Sequence, residues 1–235
     1  MNPDEVLCLE QVEKDFGNFT ALAQVNLRVS RGTFVLLLGA NGAGKSTLLR
    51  LLAGLSKPTR GRVLVAGAEP NYTPAARSAV GLLSHSTLLY DDLSARENLR
   101  FTARLYGLAA PEKRIDQALD AAGLGERQHH RVRTFSRGMK QRLALARATL
   151  HRPSLLLFDE PYTGLDQRAS AALSQQLIQL KERGSTSVLV THNLEEAVHL
   201  ADRLVILRRG RVGYDAPWSG GSTAELGSLY EQHLG

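Results

Sequence analysis

The chain has very little cysteine and no long apolar run. Cys8 is the only cysteine among 235 residues, so no disulfide can form within the chain and an oxidising compartment is not indicated. No stretch approaches the roughly 18 consecutive apolar residues of a membrane-spanning helix. The opening segment MNPDEVLCLE lacks the basic flank and apolar core of a secretory signal. We therefore expect a cytosolic protein, or one that attaches to a membrane only through a partner.

A concentrated charge of one sign is also lacking. The formal net charge is +6 and the isoelectric point is about 9.7, but the basic residues are interspersed with acids. The one dense basic run, RQHHRVR at residues 127–133, has the composition of a solvated surface. The sequence has no zinc-type ligand spacing and no tandem repeat. The charge favours an anionic ligand such as a nucleotide only weakly, and we do not expect nucleic acid as a partner.

Strand and helix patterns alternate along most of the chain. Strands are predicted at residues 7–12, 25–29, 33–38, 62–65, 79–83, 154–158, 187–190 and 204–207. Helices are predicted at residues 45–53, 95–106, 111–122, 136–150, 167–182 and 194–201, with a short one near 226–233. Several strands are apolar on both faces, as in a parallel sheet that helices cover on both sides. These patterns predict an α/β fold.

Only helix signals occur between residues 86 and 150. The turn residues Gly107, Pro111, Gly123 and Gly125 divide this stretch into two or three helices. No composition shift marks an independent domain at either end. We predict a single domain over residues 1–235, with a helical subdomain at about 86–150 inserted into the α/β core.

The segment GANGAGKS at residues 39–46 fits the pattern G-x-x-x-x-G-K-[ST] and lies between a predicted strand and a predicted helix. The glycines let backbone N–H groups point at phosphate, and the helix directs its positive end there. Lys45 would neutralise the β- and γ-phosphates, Ser46 would bind Mg²⁺, and Thr47 would support the α-phosphate. The predicted ATP-binding residues are Gly39, Asn41, Gly42, Ala43, Gly44, Lys45, Ser46 and Thr47.

A second apolar strand, LLLF at residues 155–158, ends in Asp159 and Glu160. Carboxylates are costly at the end of a buried strand unless a cation or water is there. We predict Asp159 as a partner of Mg²⁺ opposite Ser46, and Glu160 as the group that polarises an attacking water. An acidic pair that simply ends a strand is the alternative, and the phosphate loop makes it the weaker one.

Ser136 begins another predicted helix, in the segment TFSRGMKQR. An ordinary capped helix is one interpretation. The other is a second anion site at an exposed helix N-terminus, with the phosphate supplied by another subunit.

Taken together, these segments resemble the ATP-binding cassette (ABC) family over nearly the whole chain. The matching elements are the Walker A loop at 39–47, the signature at 135–139, Walker B at 155–160, the D-loop at 163–166, the switch histidine His192, and Phe16 in place of the aromatic residue that stacks on adenine. Phe19 is a nearby competitor for that last role. The resemblance implies an ABC-type P-loop core with an N-terminal antiparallel β portion and the inserted helical subdomain.

The resemblance also implies how the protein works. Two domains would pair head to tail, so that Ser136, Arg137, Gly138 and Met139 of one copy meet the ATP held by the other. His192 would contact the γ-phosphate, and Asp166 would link the two sites across the interface. The chain has one copy of each motif, so the partner is a second chain, as a homodimer or with a paired ABC subunit. An integral membrane permease would hold the dimer at the cytoplasmic face of the membrane.

His85, in VGLLSHSTLL, departs from the family pattern, which has glutamine there. Its imidazole could replace part of the amide's function toward Mg²⁺ and water. Histidine at this position resembles the haem-exporter ATP-binding subunits of cytochrome c maturation, called CcmA. We therefore expect the ATPase of an exporter, with haem as its cargo. The alternatives are a general ABC-2-type exporter of drugs, lipids or polysaccharides, and a soluble ABC protein of DNA repair or translation.

Overall fold

The computed structural model describes residues 4–71, 73–84 and 86–234. The strands are β1 (Glu5–Phe16), β2 (Phe19–Ser30), β3 (Phe34–Gly39), β4 (Arg60–Val65), β5 (Val80–Leu83), β6 (Leu155–Asp159), β7 (Thr186–Val190), β8 (Arg203–Arg208) and β9 (Arg211–Pro217). The helices are α1 (Lys45–Leu52), α2 (Pro74–Ser78), α3 (Ala95–Leu105), α4 (Glu112–Ala121), α5 (Arg137–Thr149), α6 (Gln167–Glu182), α7 (Leu194–Ala197) and α8 (Thr223–Leu234). Within these described ranges, no helix is both long enough and apolar enough to cross a bilayer.

The central sheet has six strands in the order β5-β6-β7-β3-β8-β9. Its first five strands run parallel, and β9 pairs antiparallel with β8. Every residue of β3 and β7 is buried, because helices or a second sheet cover both faces. The carboxyl ends of β3, β6 and β7 meet at one edge, where the loops after Gly39, Asp159 and Val190 begin. Parallel α/β sheets bind ligands at this edge.

A smaller antiparallel sheet, in the order β2-β1-β4, packs with α1 on one face of the central sheet. Side chains of β3 alternate between the faces: Val35 and Leu37 join this core, whereas Phe34 and Leu36 join a second core with α5, α6 and α8. The antiparallel sheet positions the hairpin between β1 and β2 beside the loop that follows β3.

The segment between β5 and β6 contains α3, α4 and α5 and has a core of its own. Leu99, Ile115, Leu119 and Leu143 are among its fully buried residues. The first turn of α3 is a capping box, in which Ser94 and Glu97 exchange side-chain and backbone hydrogen bonds. This segment ends in α5, whose N-cap is Ser136.

Each of the eight predicted strands and six main predicted helices overlaps an observed one. The pattern analysis missed α2 and β9, and it made α7 too long. β9 has no buried residue, so no apolar run marks it. It forms because the turn at Arg209 and Gly210 returns the chain beside β8, which is a tertiary effect.

Candidate nucleotide-binding site

The loop after β3 depends on glycine at two positions. Gly39 has φ of 151°, and a Cβ there would lie 2.4 Å from the carbonyl oxygen of Leu207. Gly44 has φ of 105°, and its Cβ would lie 2.7 Å from the carbonyl oxygen of Ala21. Both distances are too short for any side chain, so the loop can take this path only with glycine.

Helix α1 begins directly after Gly44, and no side chain caps it. Its first turn therefore presents backbone N–H groups and the positive end of the helix dipole to the space above the loop. Ala43 is buried, and its carbonyl oxygen accepts a hydrogen bond from the N–H of Gly210 at 3.0 Å. This bond holds the loop against the turn between β8 and β9.

Lys45 is the first residue of α1, directly after the loop, and is only 8% exposed. Its Nζ donates to the carbonyl oxygens of Gly39 at 2.6 Å and Ala40 at 3.0 Å. Burial lowers the pKa of Lys45, while the nearby carboxylates of Glu160 and Asp159 act in the opposite direction. The ammonium is therefore held in place by neutral partners, which an anionic ligand can replace.

A cavity of about 380 Å³ lies over the loop. It brings together residues that are far apart in sequence. The lining consists of Phe19, Ala21, Asn41, Gly42, Gly44, Lys45, Ser46, Thr47, Asp159, Glu160, Val190 and His192. Six of the eight predicted ATP-binding residues of the loop line the cavity, whereas Gly39 and Ala43 do not. The combination of a phosphate loop with two carboxylates and an imidazole suits nucleotide chemistry.

Glu160 and His192 contact each other at the edge of this cavity. Glu160 Oε1 lies 3.3 Å from His192 Nε2, and the backbone N–H of His192 donates to Glu160 Oε2 at 3.2 Å. Glu160 has φ of 51°, an unusual conformation for a residue other than glycine, and such strain costs about 1–3 kcal/mol. The hydrogen bond from its N–H to the carbonyl oxygen of Val190 at 2.9 Å helps to hold it.

Ser46 and Asp159 line the same cavity, as the predicted Mg²⁺ site requires. A hydroxyl and a carboxylate are hard oxygen donors, and Mg²⁺ commonly takes one or two protein ligands and completes its shell with phosphate and water. The described residues contain no group of three or more histidine, cysteine or acidic side chains that could hold a metal. The donor set therefore fits a Mg²⁺ ion that arrives with a nucleotide.

The two candidate aromatic residues occupy different places on the hairpin between β1 and β2. They are paired across it, Phe16 with Phe19. Phe19 lines the cavity, whereas Phe16 does not and has the Nζ of Lys14 5.0 Å above its ring. Both rings are largely exposed, at 54% and 61%. The resemblance implies that Phe16 stacks on adenine, but the cavity lining favours Phe19 for this role.

The signature residues Ser136, Arg137, Gly138 and Met139 do not line this cavity. Ser136 caps α5, where its Oγ accepts a hydrogen bond from the N–H of Met139 at 3.3 Å. Ser136 and Arg137 are exposed. A Cβ at Gly138 would lie 2.8 Å from that of Ala169, so the close approach of α5 and α6 requires glycine there. In a single chain, this helix N-terminus is therefore exposed and is not part of the nucleotide cavity.

Two contacts of α5 were not predicted from the sequence. The guanidinium of Arg137 lies against Gly164, where a Cβ would be 2.6 Å from Cζ of the arginine. The buried side chain of Gln141 donates through Nε2 to the carbonyl oxygen of Pro161 at 2.8 Å. No sequence signal marks Gln141, because a glutamine within a helix is ordinarily solvent-exposed. Both contacts join α5 to the loop that follows Glu160.

Asp166 caps α6, and its Oδ1 accepts a hydrogen bond from the N–H of Ala169 at 2.7 Å. This local role explains an aspartate at the position, and the role across a subunit interface stays a prediction. His85 lies outside the described residues, so its predicted contact with Mg²⁺ and water also stays a prediction.

The sequence matches the ABC transporter family over residues 22–163. Because this match covers more than half of the chain, the chain belongs to that family. A solved dimeric ATP-binding cassette, bound to ADP and Pi in a post-hydrolysis state, is 30% identical. It covers 92% of this chain and 100% of its own length, with a TM-score of 0.80. The expected ABC-type P-loop fold, with its antiparallel sheet, is confirmed.

Two curated relatives are transport proteins. The Fe(3+) ions import ATP-binding protein FbpC of Brucella melitensis is 38% identical over 221 residues, which are 89% of this chain and 63% of that protein. The Nod factor export ATP-binding protein I of Cupriavidus pinatubonensis is 40% identical over 209 residues, which are 88% of this chain and 64% of that protein. The chain thus spans less than two thirds of the length of either relative.

The expectation of an exporter is wrong, since Fe(3+) import ATP-binding proteins from several organisms are among the most similar relatives. The similarity to the haem exporter CcmA is likewise not supported. That inference rested on His85 and its flanking residues, whereas the relatives match along about nine tenths of the chain. The physical reason is that ATP-binding cassettes of importers and of exporters share the motifs that bind and hydrolyse ATP, as the two curated relatives illustrate. A single residue within these motifs therefore does not identify the cargo.

Proposed function

We propose that this chain binds MgATP between two copies of itself and hydrolyses it to drive a membrane permease that imports its cargo. The observation that carries this proposal is the cavity in which the glycine loop meets Asp159, Glu160 and His192. A phosphate loop alone supports nucleotide binding. The added carboxylates and imidazole can bind a metal ion and handle a water molecule, which favours an ATPase over a passive binding module.

Nucleotide binding depends on Lys45, Ser46 and Thr47. The ammonium of Lys45 would exchange its two carbonyl partners for oxygens of the β- and γ-phosphates, which form stronger, charge-assisted hydrogen bonds. Ser46 and Asp159 would hold Mg²⁺, which neutralises phosphate charge when it is bound. Thr47 follows on the same turn and would meet the α-phosphate.

Hydrolysis would use the pair formed by Glu160 and His192. The carboxylate of Glu160 would orient a water and accept its proton while the water oxygen bonds to the γ-phosphorus. The bond between that phosphorus and the β–γ bridging oxygen then breaks, which leaves ADP and inorganic phosphate. His192, held 3.3 Å from Glu160, would donate a hydrogen bond to the γ-phosphate.

The position of the signature supports a head-to-tail dimer. The N-terminus of α5 is exposed and lies outside the cavity of its own chain, yet it has the features of an anion site. A second copy would bring this end of α5 to the γ-phosphate and close the cavity from outside. ATP would then hold two subunits together, and hydrolysis would release them.

A second groove supports docking on a permease. This groove has a volume of about 630 Å³. Its lining includes apolar side chains that are exposed to water in the free chain, namely Leu88, Tyr90, Phe101, Leu105 and Tyr106. Attachment there would place the chain at the cytoplasmic face of the membrane. The names of the Fe(3+) import relatives favour inward transport, with ferric ion as the cargo to test first.

The proposal is tested with Glu160→Gln, which keeps the shape of the side chain but removes its ability to accept a proton. We expect ATP affinity to be retained, hydrolysis to fall by at least about 100-fold, and an ATP-bound dimer to accumulate on a sizing column. Glu195→Gln is the matched control, because Glu195 is an exposed glutamate on α7. Hydrolysis by Glu160→Gln at a rate close to that of Glu195→Gln would contradict the assigned role.

A further inference from the structure

Three polar side chains that do not line the nucleotide cavity contact one another. Tyr162 lies two residues after Glu160, Ser174 lies on the buried face of α6, and Glu196 lies on α7, just after His192. The hydroxyl oxygens of Tyr162 and Ser174 are 3.1 Å apart. The hydroxyl of Ser174 also donates to Oε2 of Glu196. One serine thus joins the loop that carries Glu160 to the helix that follows His192.

The hydrogen bonds in this group have a defined direction. A serine hydroxyl has one proton, so when Ser174 donates it to the carboxylate of Glu196, the phenol of Tyr162 must supply the proton of the other bond. Burial raises the pKa of Tyr162 to about 12, so the phenol keeps its proton at neutral pH. Tyr162 and Ser174 are only 5% and 8% exposed. Buried polar groups of this kind are costly unless each has a partner.

The short helix α7 depends on tertiary contacts, which include the burial of Ala197 in the core as well as the bond from Ser174. It has four residues, too few to be stable without tertiary contacts. Asn193 caps it by accepting a hydrogen bond from the N–H of Glu196 at 3.3 Å, and His192 is the residue before Asn193. The bond from Ser174 to Glu196 fastens this turn to α6, which has sixteen residues. The turn that follows His192 is therefore joined to α6 through a side chain.

The other end of the group fixes Glu160. The N–H of Thr163 donates to the carbonyl oxygen of Glu160 at 3.2 Å, so Tyr162 lies inside the turn that begins at Glu160. We propose that Tyr162, Ser174 and Glu196 form a hydrogen-bonded tie that sets the separation of Glu160 and His192 for catalysis. This inference rests on the proposed function. All three are positioning residues, because none lines the cavity.

The test compares Ser174→Ala, which breaks both bonds, with Ser174→Thr, which keeps a hydroxyl. Displacing a catalytic group by a fraction of an ångström to 1 Å lowers the rate by about tenfold to a hundredfold. We expect that loss in kcat for Ser174→Ala, ATP affinity within about twofold because the phosphate loop is separate, and substantial recovery in Ser174→Thr. Tyr162→Phe removes a single hydroxyl and should lower kcat in the same direction, which keeps the test decisive if Ser174→Ala folds poorly.

Ser170→Ala is the matched control. Ser170 lies one turn earlier on α6 and is 7% exposed. Ser170→Ala therefore measures how much kcat falls when a buried hydroxyl of α6 outside the proposed tie is removed. A kcat for Ser174→Ala and Tyr162→Phe equal to that of Ser170→Ala would overturn the tie, and so would a parallel loss of kcat and ATP affinity.

A second measurement separates this inference from the proposed function. Hydrogen exchange of the amides in α7 should be faster in Ser174→Ala than in the unmodified protein, whether or not ATP is hydrolysed. If the unmodified protein does not hydrolyse ATP, the proposed function fails. If exchange in α7 is unchanged by the substitution, the tie itself fails.

Discussion

Two glycines of the phosphate loop differ in their surroundings, and this difference predicts how each responds to alanine. Gly42 and Gly44 both have positive φ, at 79° and 105°. A Cβ at Gly42 would have nothing within 4 Å, whereas a Cβ at Gly44 would lie 2.7 Å from the carbonyl oxygen of Ala21 and 2.8 Å from Cδ2 of Leu22. Gly42→Ala therefore adds only backbone strain, while Gly44→Ala adds strain and steric overlap.

The expected magnitudes follow from these two terms. Backbone strain of an alanine with positive φ costs about 1 kcal/mol, and forcing a methyl group into packed surroundings costs about 2 kcal/mol more. In a domain of this size, 1 kcal/mol lowers Tm by about 2–4 °C. Gly42→Ala should therefore lower Tm by about 2–4 °C and Gly44→Ala by about 6–12 °C.

Thermal unfolding of the two variants and the unmodified protein, in buffer without nucleotide, measures the difference directly. Nucleotide is left out because its binding would itself raise Tm. Equal Tm values for the two variants would refute the close approach of the loop to β2. A larger decrease in Tm for Gly42→Ala than for Gly44→Ala would refute the prediction that steric overlap adds to backbone strain at Gly44.

Two further predictions concern adenine and the direction of transport. Stacking of a base on an aromatic ring contributes about 1–3 kcal/mol, so alanine at the ring that stacks, Phe16 or Phe19, should weaken ATP binding by about 5- to 150-fold. Alanine at the other ring should leave the affinity measured by calorimetry nearly unchanged. No change in affinity at either position would exclude the hairpin from the adenine site. In proteoliposomes with the permease, ATP should drive ferric ion toward the side that carries this chain, and movement away from that side would contradict import.

The main elements of the fold were predictable because their signals are local. β3 and β6 are short apolar runs, as expected for strands of a parallel sheet that are buried on both faces. A glycine loop follows β3, and two carboxylates follow the apolar run of β6. β9 was not predictable, because it is an edge strand without a buried side chain and is stabilised by pairing with β8. α7 was predicted too long, since the apolar pattern continues past Ala197 but the α-helix ends there, and the N–H of Leu200 bonds to the carbonyl oxygen only three residues before it.

The candidate site likewise contains residues that could be identified from the sequence and a contact that could not. Lys45, Ser46, Asp159 and Glu160 were identifiable because each lies in a short motif whose chemistry depends on neighbours in sequence. The contact between Glu160 and His192 joins residues 32 positions apart and follows from the pairing of β6 with β7. It could be expected only through the family resemblance.

By itself, the sequence determined the ABC-type motifs and the nucleotide site that they predict, because the glycine loop, the paired carboxylates and the signature are contiguous segments with local geometry. The tertiary structure alone decided which aromatic ring borders the cavity and that Ser174 joins Tyr162 to Glu196. Those features depend on where separate strands and helices are placed by packing, and a serine on a helix face carries no sign of the partners it will meet.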